Sequence, residues 1–448
     1  MSAEWVTLTI GELVRKGEAT VQTGPFGSQL HSHDYVTAGT AVIPTEAIGR
    51  GRILDIAVPQ VDSMKAAGLA RHRLRLGDIL FARRGAQATG LSAIIDERFE
   101  GALCGTGALL LRIQSPRVDP NYLAMFLSSE AAYIWLRTHA VGAVMPNLNT
   151  DIIKGLPITL PGIEEQRSLA RLFGTLDDRI TLLRETNATL EAIAQALFKS
   201  WFVDFDPVRA KLEGRAPEGM DEATARLFPD SFEESELGLV PRGWRVLPIG
   251  DAVEAVGGAT PDTKNPAYWE PAIHCWTTPK DLSGIAAPVL LDTERKLSDQ
   301  GLAKIGSGAL PIGTLLLSSR APIGYLALAQ VSLAINQGYI AMPPGGLLPP
   351  LYMLFWCRQN MENIKGRANG STFMEISKKA FRPIPALLPS PEVVQVFATV
   401  AGALFDRLIE NEKQAQTLAT LRDTLLPRLI SGQLRLPEAQ SAAEDALA

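Results

Sequence analysis

The feature that most constrains this chain is a long apolar stripe between about Glu164 and Phe202, in which apolar residues recur at alternating steps of three and four. Such alternation is typical of a coiled-coil seam, whereas a helix that covers a globular core has a broader apolar face. A single polar residue interrupts the stripe, and a buried polar residue in a seam usually fixes register or partner choice. The predicted seam contains Phe173, Leu176, Ile180, Leu183, Asn187, Leu190, Ala194, Leu197 and Trp201.

A second copy of this helix lies 228 positions later, where Asp178 maps onto Asp406 and Leu190 onto Leu418. Its predicted seam also contains one asparagine. Two long helices with similar seams in one chain are predicted to pair with each other, and the alternative is that each is a long amphipathic helix on its own domain. The second seam contains Ala401, Leu404, Leu408, Asn411, Ala415, Leu418 and Leu425.

The remainder of the chain is also repeated, so the predicted order is globule, helix, globule, helix. Residues 74–84 resemble residues 310–320 in order and kind, which places Arg84 and Arg320 at matching positions after matching strands. The stretch after the first helix is rich in proline, glycine and acidic residues, which is typical of a linker. The predicted segments are a globule over 1–160, a spacer helix over 161–203, a linker over 204–242, a second globule over 243–390, a second spacer helix over 391–432 and a disordered tail over 433–448.

Composition narrows the class of protein. With 448 residues and 46% hydrophobic residues, the chain can bury a sizeable core in two or three domains. Cys104, Cys275 and Cys357 are far apart and lack C-x-x-C spacing, so they predict neither disulfides nor a zinc site and fit a reducing cytoplasm. The uncharged run over 321–357 is broken by prolines and amides, so buried strands are predicted there in place of a membrane span. The globules are neutral to mildly basic, which hints at an anionic partner.

The sequence lacks the usual signatures of catalysis. It contains no P-loop, no G-x-S-x-G, no H-E-x-x-H and no glycine-rich dinucleotide loop. His31-Ser32-His33-Asp34 has metal-binding residue types, but no third spaced ligand accompanies it, so a polar loop is predicted. Asn265-Pro266-Ala267-Tyr268 is similar to the Asn-Pro-Pro-Tyr motif of amino-methyltransferases but lacks the second proline, so a turn is predicted. We therefore predict no catalytic residue and no metal ligand.

The globules instead contain polar loops beside short strands. Their side chains suit hydrogen bonds to phosphates and base edges, with Arg on guanine and Gln or Asn on adenine as the natural pairs. Two such globules on a paired helical spacer would suit a DNA site with two separated halves. The candidate DNA-binding residues are Thr23, Ser28, Gln29, Arg83, Arg84 and Asn147 in the first globule and Thr260, Lys264, Ser318, Ser319, Arg320, Asn336, Gln337, Ser371 and Thr372 in the second.

Several motifs together carry a family resemblance. They are Leu197–Pro207 and Leu425–Leu434 at the two helix ends, Thr23–Ser28 and Gly258–Pro261 with Lys264–Trp269 at the openings of the globules, and Leu160-Pro161 with Glu164–Arg167 at the entry to the first helix. With these motifs in this order, nearly the whole chain resembles the specificity subunits of type I restriction-modification systems. The second helix departs from the pattern at its entry, where Pro391-Glu392-Val393 stands.

The resemblance implies an α+β fold. Two mixed α/β target-recognition domains would be separated by two long helices that form an antiparallel coiled coil, so that the molecule is a pseudo-twofold tandem repeat. The helix-pairing positions would be Leu176, Ile180, Leu183, Asn187, Leu190, Leu197, Leu404, Leu408, Asn411, Leu418 and Leu425.

The resemblance also implies a function without catalysis in this chain. Each recognition domain would read one half of a bipartite site in double-stranded DNA, and the chain would recruit two methyltransferase subunits and restriction subunits. S-adenosylmethionine would be bound by the methyltransferase subunits, and ATP and Mg²⁺ by the restriction subunit, with no cofactor on this chain. The expected location is the cytoplasm, with no membrane partner. Two alternatives stay open: a fused DNA methyltransferase with internal recognition domains, and a coiled-coil scaffold that does not bind DNA.

Overall fold

The computed structural model describes residues 5–85, 87–142, 145–370, 374–430 and 433–447. The chain divides into two compact units. Unit 1 consists of Met1–Arg179 and Thr417–Ala448, and unit 2 consists of Ile180–Gln416. In the part of the chain that the structure describes, no helix is long and apolar enough to cross a membrane.

Unit 1 begins with short strands and helices that end where the first long helix begins. Its strands are β1 (Val6–Thr9), β2 (Ala19–Thr23), β3 (Tyr35–Val36), β4 (Thr40–Ile43), β5 (Gln60–Val61), β6 (Ile79–Ala82), β7 (Ser92–Ile94), β8 (Leu103–Cys104), β9 (Ala108–Ile113) and β10 (Pro157–Leu160). Its short helices are α1 (Ile10–Arg15), α2 (Ser63–Gly68), α3 (Pro120–Leu127), α4 (Glu130–His139) and α5 (Thr150–Gly155).

The long helix α6 (Ile163–Phe202) begins in unit 1 and ends in unit 2, which has a similar set of strands and short helices. Its strands are β11 (Phe232–Ser235), β12 (Gly238–Pro241), β13 (Arg245–Pro248), β14 (His274–Thr277), β15 (Val289–Leu290), β16 (Arg295–Leu297), β17 (Leu315–Ser318), β18 (Leu326–Ala329), β19 (Leu333–Ile335), β20 (Tyr339–Met342) and β21 (Pro385–Leu388). Its short helices are α7 (Asp206–Leu212), α8 (Glu222–Arg226), α9 (Ile249–Ala252), α10 (Asp299–Leu302), α11 (Pro350–Gln359), α12 (Met361–Gly366) and α13 (Lys378–Phe381). The second long helix, α14 (Pro391–Ile430), begins in unit 2 and ends in unit 1, and α15 (Leu436–Leu447) lies in unit 1.

The two units share a strand plan. In unit 1, β6 lies between β7 and β9 with both pairs antiparallel, and in unit 2, β17 lies between β18 and β20 in the same way. The parallel pair β4–β8 has its counterpart in β14–β19, and the antiparallel pair β1–β10 in β13–β21. The central strands β6 and β17 are buried along their whole length, as expected of apolar runs in a covered sheet. The predicted tandem repeat of α+β globules is therefore confirmed.

Helices α6 and α14 pair with each other in an antiparallel direction. In unit 2, Asn187 is hydrogen-bonded to Asn411, and the Trp201 ring, further along α6, lies 6.2 Å from the ring of Phe397, which comes earlier in α14. In unit 1, a guanidinium nitrogen of Arg422 lies 2.6 Å from a carboxylate oxygen of Asp177. The prediction of two long paired helices is confirmed.

All the predicted helix-pairing residues are buried or half-buried. The half-buried members are Leu190, Leu197 and Leu404, and the others are almost completely covered. The structure also buries Phe198 and Phe405, which the strict three-and-four spacing omits. These rings pack against Phe355 of α11, so this end of the helix pair has the broader apolar face of a helix that covers a globule.

The predicted linker over 204–242 differs from the structure. It contains α7, α8 and the hairpin β11–β12, and Val208, Phe228 and Val240 are buried in the main hydrophobic core of unit 2. The Phe228 ring lies 5.2 Å from the Trp201 ring. Elements of four to seven residues are too short to show periodicity between prolines and glycines, so composition alone indicated a linker.

The tail predicted to be disordered contains helix α15. In unit 1, Ala439 and Ala443 of this helix are fully buried, and Ala439 belongs to a core cluster that also contains Leu425 and Leu429. Alanine contributes little to a hydrophobicity pattern but allows a helix to approach its neighbour closely. This is why the composition of residues 433–448 did not indicate a packed helix.

Candidate nucleic-acid interface

In unit 1, two of the predicted polar segments lie at the same end of the four-stranded sheet whose strand order is β2-β9-β6-β7. The Gly24 amide, after β2, donates to the carbonyl of Ala108 at 2.9 Å, and the Arg83 amide, after β6, donates to the carbonyl of Gly107 at 3.0 Å. Ala108 is the first residue of β9, which lies between β2 and β6. The segments that contain Thr23 and Arg84 therefore meet at one sheet end.

The segment after β6 is held by a returning loop, and we call the three residues Arg83, Arg84 and Asn147 the bridge site of unit 1. The backbones of Arg84 and Asn147 form an antiparallel bridge, and the Leu148 amide donates to the Arg83 carbonyl at 2.9 Å. Nε of Arg83 donates to Oδ1 of Asn147 at 2.9 Å. Arg84 is exposed, so this site presents a cation at the sheet end.

The same backbone arrangement recurs in unit 2, where Ser319, Arg320 and Glu375 form the bridge site. The Ser319 amide donates to the Gly338 carbonyl at 2.8 Å, the Ile376 amide donates to the Ser319 carbonyl at 3.0 Å, and Arg320 and Glu375 form an antiparallel bridge. These bonds place Arg320 where unit 1 has Arg84, as predicted. Contact of either arginine with DNA stays a prediction.

In unit 2, a second set of polar side chains connects the opening loop of the globule, which contains Thr260, to the turn before β20. The Thr260 hydroxyl donates to Oε1 of Gln337 at 2.7 Å, and both side chains are exposed. Oδ1 of Asn336 accepts from the Gly338 amide at 2.8 Å, which fixes this turn. Gly338 also bonds to Ser319, so the predicted residues Thr260, Asn336 and Gln337 lie beside the bridge site.

Both opening loops require glycine because their backbones touch a neighbouring strand end. A Cβ on Gly24 would lie 1.9 Å from the carbonyl oxygen of Gly105, and one on Gly258 would lie 1.8 Å from that of Ile335. No side chain fits at such distances. The glycines therefore allow each opening loop to lie directly against the neighbouring strand end.

Of the other unit 1 candidates, Gln29 takes part in a polar network. Oε1 of Gln29 accepts from the Phe26 amide at 3.1 Å and from Arg71 at 3.3 Å, so Gln29 closes its own turn. Nε of Arg71 also donates to Nε2 of His72 at 2.9 Å. Burial, followed by the adjacent Arg71 charge, lowers the pKa of His72 and favours the neutral ring. Thr23 is half-buried in the adjoining strand β2, and Ser28 is exposed on the loop.

The structure contradicts two of the predicted contacts. Ser318 is fully buried, donates to the Pro322 carbonyl at 2.8 Å and accepts from the Tyr325 amide at 2.8 Å. Ser319 is 2% exposed, so neither hydroxyl can reach a ligand. Ser318 and Ser319 are buried because they lie at the covered end of β17. The polar residue type of serine does not reveal this position.

The remaining unit 2 candidates stay untested. Lys264 is exposed on the opening loop, which is far in sequence from the bridge-site residues Arg320 and Glu375. Ser371 and Thr372 lie outside the described residues.

Several residues at these sites are not among the candidates predicted from the sequence. Glu375 occupies the position of Asn147, and the spacing of 228 positions between the two copies could have identified it. The Arg295 guanidinium lies 3.5 Å from the centre of the Trp269 ring, and Nε1 of Trp269 donates to the Asp262 carbonyl at 3.1 Å. This stacking holds the opening loop of unit 2 in place, and no sequence pattern predicts it because Arg295 is distant from Trp269 in the chain.

The residues with metal-ligand chemistry do lie together in the described part of the chain. Ligand atoms of His31, His33 and Asp34 are all within 4.8 Å of one another. However, Oδ2 of Asp34 already accepts from the Lys65 ammonium at 2.8 Å and from the His31 amide at 2.7 Å. The Lys65 hydrogen bond, followed by that from His31, lowers the pKa of Asp34 to about 2. The geometry fits an ion-paired surface turn, with a cation already beside the carboxylate.

Comparisons with known proteins identify the family. A family model described as type I restriction modification DNA specificity domain matches residues 73–192 and 241–419, which together make up more than half of the chain. The HindI specificity subunit of Haemophilus influenzae is 25% identical over 410 residues, covering 82% of this chain and 88% of that protein. The MjaIX specificity subunit of Methanocaldococcus jannaschii is 39% identical over 185 residues, covering 41% of this chain and 42% of that protein.

A solved structure supports the same fold. The S subunit of a type I restriction-modification system from M. genitalium matches with a TM-score of 0.57 and 15% identity, over 95% of this chain and 96% of that one. The first matched region lies mostly in unit 1 and the second mostly in unit 2, the two units that repeat each other in the structure. The chain therefore belongs to the family of type I restriction-modification DNA specificity domains.

Proposed function

We propose that this chain is the specificity subunit of a type I restriction-modification complex and reads a bipartite site in double-stranded DNA. Unit 1 reads one half of the site and unit 2 reads the other. The chain itself has no catalytic role: it selects the DNA at which its partner subunits act.

The observation that carries this proposal is the repeated bridge site. Both units use the same backbone bonds to present an arginine, Arg84 or Arg320, at a sheet end that also carries a polar loop. Arginine and amide side chains form the hydrogen bonds that base edges and phosphates require. A duplicated reading surface suits a recognition sequence with two halves better than a single active site, because an enzyme needs one convergent set of groups.

The proposed partners are two methyltransferase subunits, which bind S-adenosylmethionine, and restriction subunits, which bind ATP and Mg²⁺. Both long helices have apolar side chains outside their seam that are about half exposed. Leu182 is 53% exposed and Ile193 50% on α6, and Val400 is 45% exposed on α14. Such residues provide apolar surface for partner subunits along the helices.

The test is a segment exchange in cells that contain the chain and its methyltransferase. Residues 1–155 would be replaced by the equivalent segment of another specificity subunit, and methylated sites would be mapped across the genome. One half of the methylated sequence should change and the other half should persist. A change in both halves together would contradict independent reading by the two units.

Two further measurements separate the alternatives. If the purified chain alone bound S-adenosylmethionine, the fused methyltransferase would be favoured. If the chain assembled with its methyltransferase did not bind any DNA, the scaffold would be favoured, since a scaffold needs only the helix pair.

A further inference from the structure

The bridge sites of the two units have matching backbones but different side chains. Unit 1 has Asn147 where unit 2 has Glu375, and Arg83 where unit 2 has the buried Ser319. Unit 1 therefore presents two guanidinium groups and an amide, whereas unit 2 presents one guanidinium group and a carboxylate. Because the two bridge sites have the same backbone but different side chains, they can recognise different chemical groups without a change of fold.

The backbone around Glu375 is fixed while its side chain is accessible. Glu375 and Asn369 exchange two backbone hydrogen bonds, each 2.9 Å long, and Glu375 bridges to Arg320. The side chains of Arg320 and Glu375 are 36% and 44% exposed. Both groups are thus held at defined points and can still be reached by a ligand.

The two side chains are close enough to act together but are not hydrogen-bonded to each other. Nη1 of Arg320 lies 3.7 Å from Oε2 of Glu375, which exceeds hydrogen-bond length. An exposed ion pair of this kind adds little to stability, so folding does not explain the glutamate. A carboxylate also repels phosphates, so its presence beside Arg320 disfavours a purely electrostatic contact with the DNA backbone.

We propose that Glu375 is a specificity-determining residue of unit 2, and that Arg320 and Glu375 together read one G·C base pair in the major groove. This inference rests on the proposed function. Guanine offers acceptors at N7 and O6 to a guanidinium group, and the N4 amino group of the paired cytosine donates to a carboxylate. The pair thus supplies donors and an acceptor side by side, which matches the groups on the edge of a G·C pair.

Two substitutions separate base reading from charge. Glu375→Gln removes the negative charge but keeps an acceptor oxygen, whereas Glu375→Ala removes both. Each variant would be assembled with the methyltransferase, and affinities would be measured for a set of DNA duplexes that differ at single positions of the recognised site. Glu362→Ala serves as the control for charge loss, since Glu362 is 95% exposed elsewhere in unit 2.

The expected result is specific to one position. Glu375→Ala should reduce the preference for one G·C pair in the unit 2 half-site by about tenfold or more, with the other positions unchanged. Glu375→Gln should keep most of that preference while raising affinity for all duplexes, and Glu362→Ala should raise affinity in the same way. Unchanged unfolding midpoints would establish that both variants fold.

Three outcomes would overturn the inference. A uniform rise in the affinity of Glu375→Ala with the same base preference would show that Glu375 acts only through its charge. The lost preference could also fall on an A·T pair or in the unit 1 half-site. A parent complex without any sequence preference would refute the proposed function itself, and this outcome is visible before any variant is made.

Discussion

The side-chain amide of Asn411 donates a hydrogen bond of 2.9 Å to the amide oxygen of Asn187, and both residues are 2% exposed. The Asn187 amide in turn donates to the backbone carbonyl of Leu408 at 3.1 Å. These are the two asparagines that interrupt the two predicted seams. A one-turn slip of either helix would separate them and leave buried amides unpaired, so the pair fixes the register of α6 against α14.

Removing one member of this pair should destabilise unit 2. Asn411→Leu deprives the Asn187 oxygen of its donor, and an unsatisfied buried polar group costs about 1–3 kcal/mol in the free energy of unfolding. Urea unfolding followed by circular dichroism measures the loss. Ala188→Leu, at an exposed position of the same turn, is the control. If Asn411→Leu were as stable as Ala188→Leu, the hydrogen bond would not be important for the stability of the helix pair.

The features of this fold that depend on periodicity could be predicted from the sequence. Individual residues show which features could be predicted and why others could not. Asn187 and Asn411 were found because a polar residue stands out in a long apolar repeat. Phe198 was not found, because it lies beside the seam and is buried by the globule of unit 2. The inaccessibility of Ser318 depends on the turn that its hydroxyl closes, and Glu375 becomes informative only when compared with its counterpart in the other unit.

Gly258 should be needed for DNA binding by unit 2 but not for its folding. A Cβ in Gly258→Ala would lie 1.8 Å from the Ile335 carbonyl oxygen, so the loop must move and separate Thr260 from Gln337. We expect weaker binding to the cognate site with an unchanged circular dichroism spectrum. Gly306→Ala has no atom within 4 Å of the added Cβ and should bind normally. Equal affinities of the two variants would exclude this loop from recognition.

Arg84 should contribute to DNA binding by unit 1. If the exposed guanidinium contacts a phosphate, Arg84→Ala should weaken binding to all sequences and reduce the slope of log affinity against log salt by about one. If it contacts a base, preference should relax at one position of the half-site. Arg75→Ala removes the same charge before the other end of β6 and serves as the control. An Arg84→Ala complex with the affinity, salt slope and site choice of the parent would remove Arg84 from the interface.

Helix α15 should dock onto unit 1 in solution. Ala439→Asp places an unpaired carboxylate at a fully buried position, which is strongly unfavourable, so the helix should detach. We expect faster proteolysis after residue 433 and a lower thermal midpoint. Gln440→Asp changes an exposed neighbour and should have neither effect. Equal proteolysis of both variants would show that residues 436–447 do not pack on the core.

The length of the helix pair should set the unread gap between the two halves of the DNA site. The division between the two units falls after Arg179 on α6 and after Gln416 on α14. Duplicating one heptad in each helix there, residues 180–186 and 412–418, adds about 10 Å to both at about 1.5 Å per residue. At about 3.4 Å per base pair, the gap in the methylated sequence should grow by about three base pairs.

This design keeps the polar contacts on either side of the insertion. Asn187 with Asn411 lies within unit 2 and Asp177 with Arg422 within unit 1, so neither register is altered. Seven residues rotate a helix by about 700°, only about 20° short of two full turns, so the seam stays continuous. Duplicating the heptad in α6 alone should abolish activity, because one helix would then be longer than its partner. The test is to map the methylated sites of the double insertion. An active variant with the parental gap would show that the helices do not set the distance between the two halves of the DNA site.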